Sequence, residues 1–134
     1  MLKKIRAAVF MMLLILFASA TLEAQSTPTV LENRLCKTWK LDRTEQGSKT
    51  TPADNSLSDF VMIINSDHTV KQGMNPDGLI SGTWTFDEKN MLFIVKDETT
   101  GEEYKMKVTS ITTDELILED TTSNPALFIR YSAK

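Results

Sequence analysis

Apolar residues recur at every second position through most of this chain, in short segments separated by polar turns. The clearest case is Glu103 to Thr112, where Tyr104, Met106 and Val108 alternate with Lys105, Lys107 and Thr109. Residues two apart on an extended backbone share a face, so the first set faces a core and the second faces water. The same reading gives strands over Lys37–Arg43, Asp59–Asn65, Thr69–Gly73, Leu79–Phe86 and Met91–Lys96. Two more follow, one carrying Leu116 and Leu118 inward and a closing one carrying Leu127, Ile129 and Tyr131. Two strands share a block: Lys37-Thr38-Trp39-Lys40-Leu41-Asp42 is echoed by Gly82-Thr83-Trp84-Thr85-Phe86-Asp87.

The turns carry their own chemistry. Asn75-Pro76-Asp77-Gly78 is the strongest turn signal, with proline fixing φ and Gly78 expected to supply a positive φ. His68, in the Asn65-Ser66-Asp67-His68 turn, is of a type enriched at positive φ. Thr44 to Ser58 has almost no apolar residues and reads as one long loop, a candidate lid. Near the start, Thr27 followed by Pro28 suggests a helix cap and first turn. Val30, Leu31 and Leu35 are spaced for one side of a short helix over Pro28–Leu35, fit to plug the end of a barrel.

About eight strands joined by hairpins, with no long helix between them, exclude a parallel βαβ design. The fold class is all-β, an antiparallel up-and-down barrel of about eight strands with a short N-terminal helix. Closure hides the apolar face and removes the edges. A two-layer sandwich satisfies the same periodicity, but consecutive hairpins favour the barrel.

Charge and the first residues set the location. Lys3, Lys4 and Arg6 precede an uncharged apolar run from Ala7 to Ala20, with small residues at Ala18-Ser19-Ala20 and again at Ala24. That is the pattern of a secretory signal peptide over residues 1–24, cut after Ala20 or Ala24. The run is short for a bilayer span of roughly 20 residues, so no membrane span is expected after cleavage. Residues 25–134 form one domain, exported to the periplasm or secreted. Removing the leader leaves 12 basic against 17 acidic residues and moves the net charge from −3 to −5. Without clustered Lys or Arg the chain has no footprint for nucleic acid. A single cysteine, Cys36, excludes an internal disulfide.

Catalytic chemistry is not visible. His68 is the only histidine and has no nucleophile that sequence can place beside it. The scattered acids, Asp77, Asp87, Asp97, Asp114 and Asp120 among them, have simpler accounts as turn caps. No metal-ligand spacing and no cofactor motif is present, so the chain reads as a non-enzyme without a cofactor.

At this level of detail the chain resembles the lipocalin-like domains of small exported bacterial proteins of the Bacteroidetes type. The carriers are Leu35-Cys36-Lys37-Thr38-Trp39-Lys40-Leu41, Ile64-Asn65-Ser66-Asp67-His68-Thr69-Val70, Gly82-Thr83-Trp84-Thr85-Phe86-Asp87 and Ile129-Arg130-Tyr131. Lys37 stands where the family pattern has glycine, and Asp67-His68 where it has Asp-Gly. The resemblance implies a calycin-like barrel with a cup at one end and, with it, binding of a small hydrophobic or amphipathic molecule.

Trp39, Met62, Ile64, Trp84, Tyr104, Met106 and Tyr131 are the candidate ligand-binding residues. The same side chains also suffice to fill an eight-stranded barrel, whose interior is just wide enough for side chains or one small ligand. A filled barrel would serve instead as an envelope protein-interaction or structural module, displaying Val61, Ile63, Leu79 and Phe128 on its outside, or as an extracytoplasmic inhibitor acting through the long loop.

Overall fold

The computed structural model describes residues 29–54 and 56–134. The leader, its two cleavage positions and the Thr27-Pro28 pair lie outside them. Among the described residues no helix is long and apolar enough to cross a membrane.

The alternating segments become nine antiparallel strands: β1 (Thr38–Gln46), β2 (Lys49–Pro52), β3 (Phe60–Ile64), β4 (Thr69–Met74), β5 (Gly78–Asp87), β6 (Leu92–Asp97), β7 (Glu103–Ile111), β8 (Glu115–Asp120) and β9 (Leu127–Ala133). From β3 onward each strand pairs with the next, and β1 pairs with both β3 and β9. The ring is therefore a closed eight-stranded up-and-down barrel, and the sandwich is ruled out by the β1–β9 seam, which runs from Trp39↔Ala133 to Gln46↔Leu127.

β2 is the extra strand. It pairs with the far half of β1, from Arg43↔Pro52 to Gln46↔Lys49, whereas β3 takes the near half, from Thr38↔Ile63 to Lys40↔Val61. The expected long loop over Thr44–Ser58 is thus mostly a β-hairpin. Only the stretch after Pro52 is irregular, tied down by the Ala53 N–H donating to the Asp42 carbonyl at 2.9 Å. A lid made of the whole segment is excluded, because its first half is barrel wall.

Register fixes which side chains point inward. Pairs such as Trp39↔Met62, Met62↔Gln72, Ile64↔Val70, Trp84↔Val95 and Phe93↔Met106 lie on the concave side. The pattern continues through Val108↔Leu118, Leu116↔Tyr131 and Leu41↔Tyr131. Register shifts between Leu41 and Arg43 and between Val108 and Ser110 mark bulges that bend the sheet.

The short helix α1 (Val30–Leu35) closes one end. Its cap is Thr29, two residues later than the Thr27 expected from sequence. The Thr29 hydroxyl accepts from the Glu32 N–H at 3.2 Å, and the Glu32 carboxylate reaches back to the Thr29 N–H. That reciprocal pair is a capping box. Six residues are too few to hold a helix alone; tertiary anchors do so here. Leu35 is fully buried, worth about 1.5–3 kcal/mol of apolar transfer, and its carbonyl accepts from the Trp39 indole N–H at 2.9 Å.

The outward apolar residues form no exposed stripe. Val61 is 2% exposed, and Ile63, Leu79 and Phe128 are half-buried. The outer face of the seam is instead ionic: Glu45 Oε1 accepts from Arg43 Nε at 2.9 Å and from Arg130 Nε at 2.8 Å.

Candidate functional site

The two ends of the barrel are packed differently. Toward α1, Trp39, Ile64, Trp84, Leu116 and Leu35 fill the interior, none more than 2% exposed. Here the polar edge of each indole is satisfied by backbone: Trp39 as described, and Trp84 by donating to the Asn65 carbonyl at 2.9 Å. Toward the other end the interior is hollow.

That hollow is a cup of about 260 Å³. Met62 on β3, Phe93 on β6, Leu118 on β8 and Tyr131 on β9 are its deep wall, all nearly buried. Val95, Met106 and Ile129 continue the apolar lining upward. Gln72, Tyr104 and Asp120 bring the polar groups. An adjoining recess of about 150 Å³ shares Gln72, Val95 and Tyr104 and adds Val70, Ile80, Gly82 and Asp97. Ile80 faces the recess yet is 57% exposed, so the mouth presents apolar surface to water.

Four of the seven residues singled out in the sequence, Met62, Tyr104, Met106 and Tyr131, come together in the cup. Trp39, Ile64 and Trp84 point inward as well, but into the filled half. Phe93, Val95, Leu118, Ile129, Gln72 and Asp120 complete the lining and were not among the seven. Inward parity was available for Leu118 and Ile129. It was not for Phe93 and Val95, because Leu92-Phe93-Ile94-Val95 is apolar at every position.

The polar groups differ in how far the protein already satisfies them. Tyr104 is half exposed at the mouth, and its hydroxyl donates to Glu102 Oε2 at 2.7 Å. That hydrogen bond to a carboxylate raises the phenol above its ordinary pKa. Asp120 Oδ1 accepts from the Thr122 hydroxyl at 2.6 Å and the Thr122 N–H at 2.9 Å, which hold its carboxyl below the usual range and keep it ionised. Asp97 Oδ1 caps its own turn, accepting from the Thr99 N–H at 2.7 Å and the Thr100 N–H at 3.1 Å. Tyr131 is 5% exposed, and burial pushes its phenol up to about 12.

The remaining reactive residues lie elsewhere. His68 sits in the β3–β4 turn at the α1 end with φ of 67°, and stacks on Trp84 with ring centroids 4.6 Å apart. Cys36 follows α1, half-buried; desolvation first, and Glu32 second, raise its thiol pKa and keep it protonated. Among the described residues no group of three His, Cys, Asp or Glu side chains is placed to hold a metal ion.

No family model matches the chain, and no curated protein matches it. Among solved structures, it is similar to a DUF4847 family protein from Bacteroides vulgatus ATCC 8482, with a TM-score of 0.57 at 15% sequence identity. The match covers 79% of this chain and 98% of that one. At that identity the likeness concerns the fold alone, a barrel in a Bacteroides protein.

Proposed function

We propose that this is an exported, non-catalytic binding protein of lipocalin-like type that holds a small hydrophobic or amphipathic molecule in the open half of its barrel. The observation that carries the reading is the asymmetry of the interior. One half is packed solid around two tryptophans, while the other leaves about 260 Å³ lined mainly by Met62, Phe93, Met106, Leu118 and Ile129. A barrel built only as a scaffold gains by filling both halves, since each unfilled volume forfeits dispersion contacts. The cup is slightly below the roughly 300 Å³ at which drug-sized pockets begin, which suits a short or slender ligand that projects into the adjoining recess. Methionines at two wall positions give the lining adaptable volume. Export to the periplasm or beyond rests on the basic-then-apolar leader of residues 1–24.

Fluorescence titration with pyrene, a rigid hydrocarbon, tests the reading directly. Saturable binding that Leu118→Trp abolishes, with the variant still folded by circular dichroism, is the expected result. Native mass spectrometry of protein from its own host should then show a co-purified small molecule. An empty barrel that takes up no pyrene would end the proposal.

A further inference from the structure

A nearly buried residue whose polar atom has no protein partner and opens onto a cavity offers that atom to whatever enters the cavity. Tyr131 meets that description. Its side chain is 5% exposed and lines the cup, and among the described residues its hydroxyl has no hydrogen-bond partner. No side-chain nitrogen or oxygen among the described residues is both sealed from solvent and unpaired. The Tyr131 oxygen is therefore accessible, and the cup is the space it opens onto. Across the barrel on β4, the side-chain amide of Gln72 also lines the cup without a protein partner among the described residues. The other polar groups of the lining are already engaged, Tyr104 by Glu102 and Asp120 by Thr122.

We propose that the ligand carries an uncharged oxygen acceptor, such as an ester, ketone or amide carbonyl, which enters the cup first and receives the Tyr131 O–H, and that carboxylate-headed molecules are discriminated against. This rests on the binding reading above and narrows it. The phenol remains protonated over the whole physiological range, so it is a donor to an acceptor and not an anion seeking a cation. Gln72, exposed on another part of the wall, offers both a donor and an acceptor. The cup holds no lysine or arginine in its lining to neutralise a carboxylate. Any anion seated there faces the ionised Asp120 on the same wall, with Asp97 in the adjoining recess, inside a chain whose net charge is already −3. Like charges at short range in a partly dehydrated cup repel strongly.

The test uses the full-length mature protein with pyrene as reporter and two competitors of equal chain length, methyl octanoate and octanoate, at neutral pH. Methyl octanoate should displace pyrene at least tenfold more effectively than octanoate. Tyr131→Phe should weaken methyl octanoate about three- to tenfold more than it changes pyrene affinity, the effect of one neutral hydrogen bond. Asp120→Asn, which keeps the oxygen that caps the turn, should improve octanoate several-fold relative to methyl octanoate. Equal competition by the two octanoyl compounds, or a Tyr131→Phe protein that binds the ester as well as the parent does, overturns this inference while the binding reading stands. If the parent protein binds neither pyrene nor the ester, both fall together.

Discussion

The imidazole of His68 lies nearly flat on the indole of Trp84, with centroids 4.6 Å apart and ring planes inclined by 23°. Its Nδ1 is also 3.0 Å from the Trp84 carbonyl oxygen. His68 makes this stack from a left-handed φ of 67°. A single turn residue thus does two things, tolerating the strained backbone and covering the largest side chain of β5. His68→Ala keeps the strain and removes the stack and hydrogen bond, so it should lose about 1–2 kcal/mol in urea unfolding. His68→Gly relieves the strain and should lose less. Equal losses in the two variants would mean that the ring contact, and not the backbone of the turn, sets the energy.

Trp39 joins the helix to the barrel through one hydrogen bond. Trp39→Phe takes the indole N–H from the Leu35 carbonyl, which keeps only the Lys37 N–H at 2.9 Å, and opens space in the fully buried site of the indole. We expect a loss of about 1–3 kcal/mol, combining one lost hydrogen bond with a cavity. Local loosening should show as well. Cys36, the single cysteine, follows α1 directly, and its thiol is kept protonated by burial. Maleimide labelling of Cys36 should therefore accelerate in Trp39→Phe, measured under conditions where the variant remains folded.

The strands were legible where one face is apolar and the other polar, as in β7 and β1, because the barrel wall separates core from water residue by residue. β2 was not. Lys49-Thr50-Thr51-Pro52 is exposed throughout, so it buries no face and prints no alternation, and its pairing depends on β1 being long enough to receive it. The cup was legible by half for a related reason. Alternation says which side chains point inward, but depth along the barrel axis is set by the stagger between strands. That stagger places Ile64 and Trp84 under α1 and Met62 and Tyr131 in the hollow, although all four share the inward parity.

The turn between β4 and β5 corrects a further expectation. Gly78, at the end of Asn75-Pro76-Asp77-Gly78, does not take a positive φ; Gly73 does, at 134°. A Cβ added at Gly73 would stand 2.1 Å from the Gly78 carbonyl oxygen, against backbone that cannot swing aside. Gly73→Ala should lose about 2 kcal/mol or more, from the unfavourable backbone region plus the clash. Gly78→Ala, whose nearest neighbour is the Met74 side chain at 3.2 Å, should be much milder. Paired urea unfolding curves decide between them, and the reverse ranking would place the demanding position at the turn's end after all.

Tyr131 makes the fold sensitive to alkali. Its phenol is pushed up to about 12 by burial, against 10.0 in an unfolded chain. Below pH 10 both states hold the proton and the contribution is fully present. Between pH 10 and 12 the unfolded chain releases the proton while the folded one keeps it, so stability falls as pH rises, and the contribution is lost once pH passes the folded value. The difference corresponds to on the order of 3 kcal/mol. The useful quantity is the difference between the parent and Tyr131→Phe, in which the contribution of every other group cancels. The variant should show a flatter decline in melting temperature above pH 10, and ultraviolet titration of the parent should show one of its two tyrosines ionising only as the protein unfolds. Superimposable alkaline profiles for parent and variant would mean that water reaches the Tyr131 ring freely, and that the cup is wetter at its deep wall than a 5% exposed phenol allows.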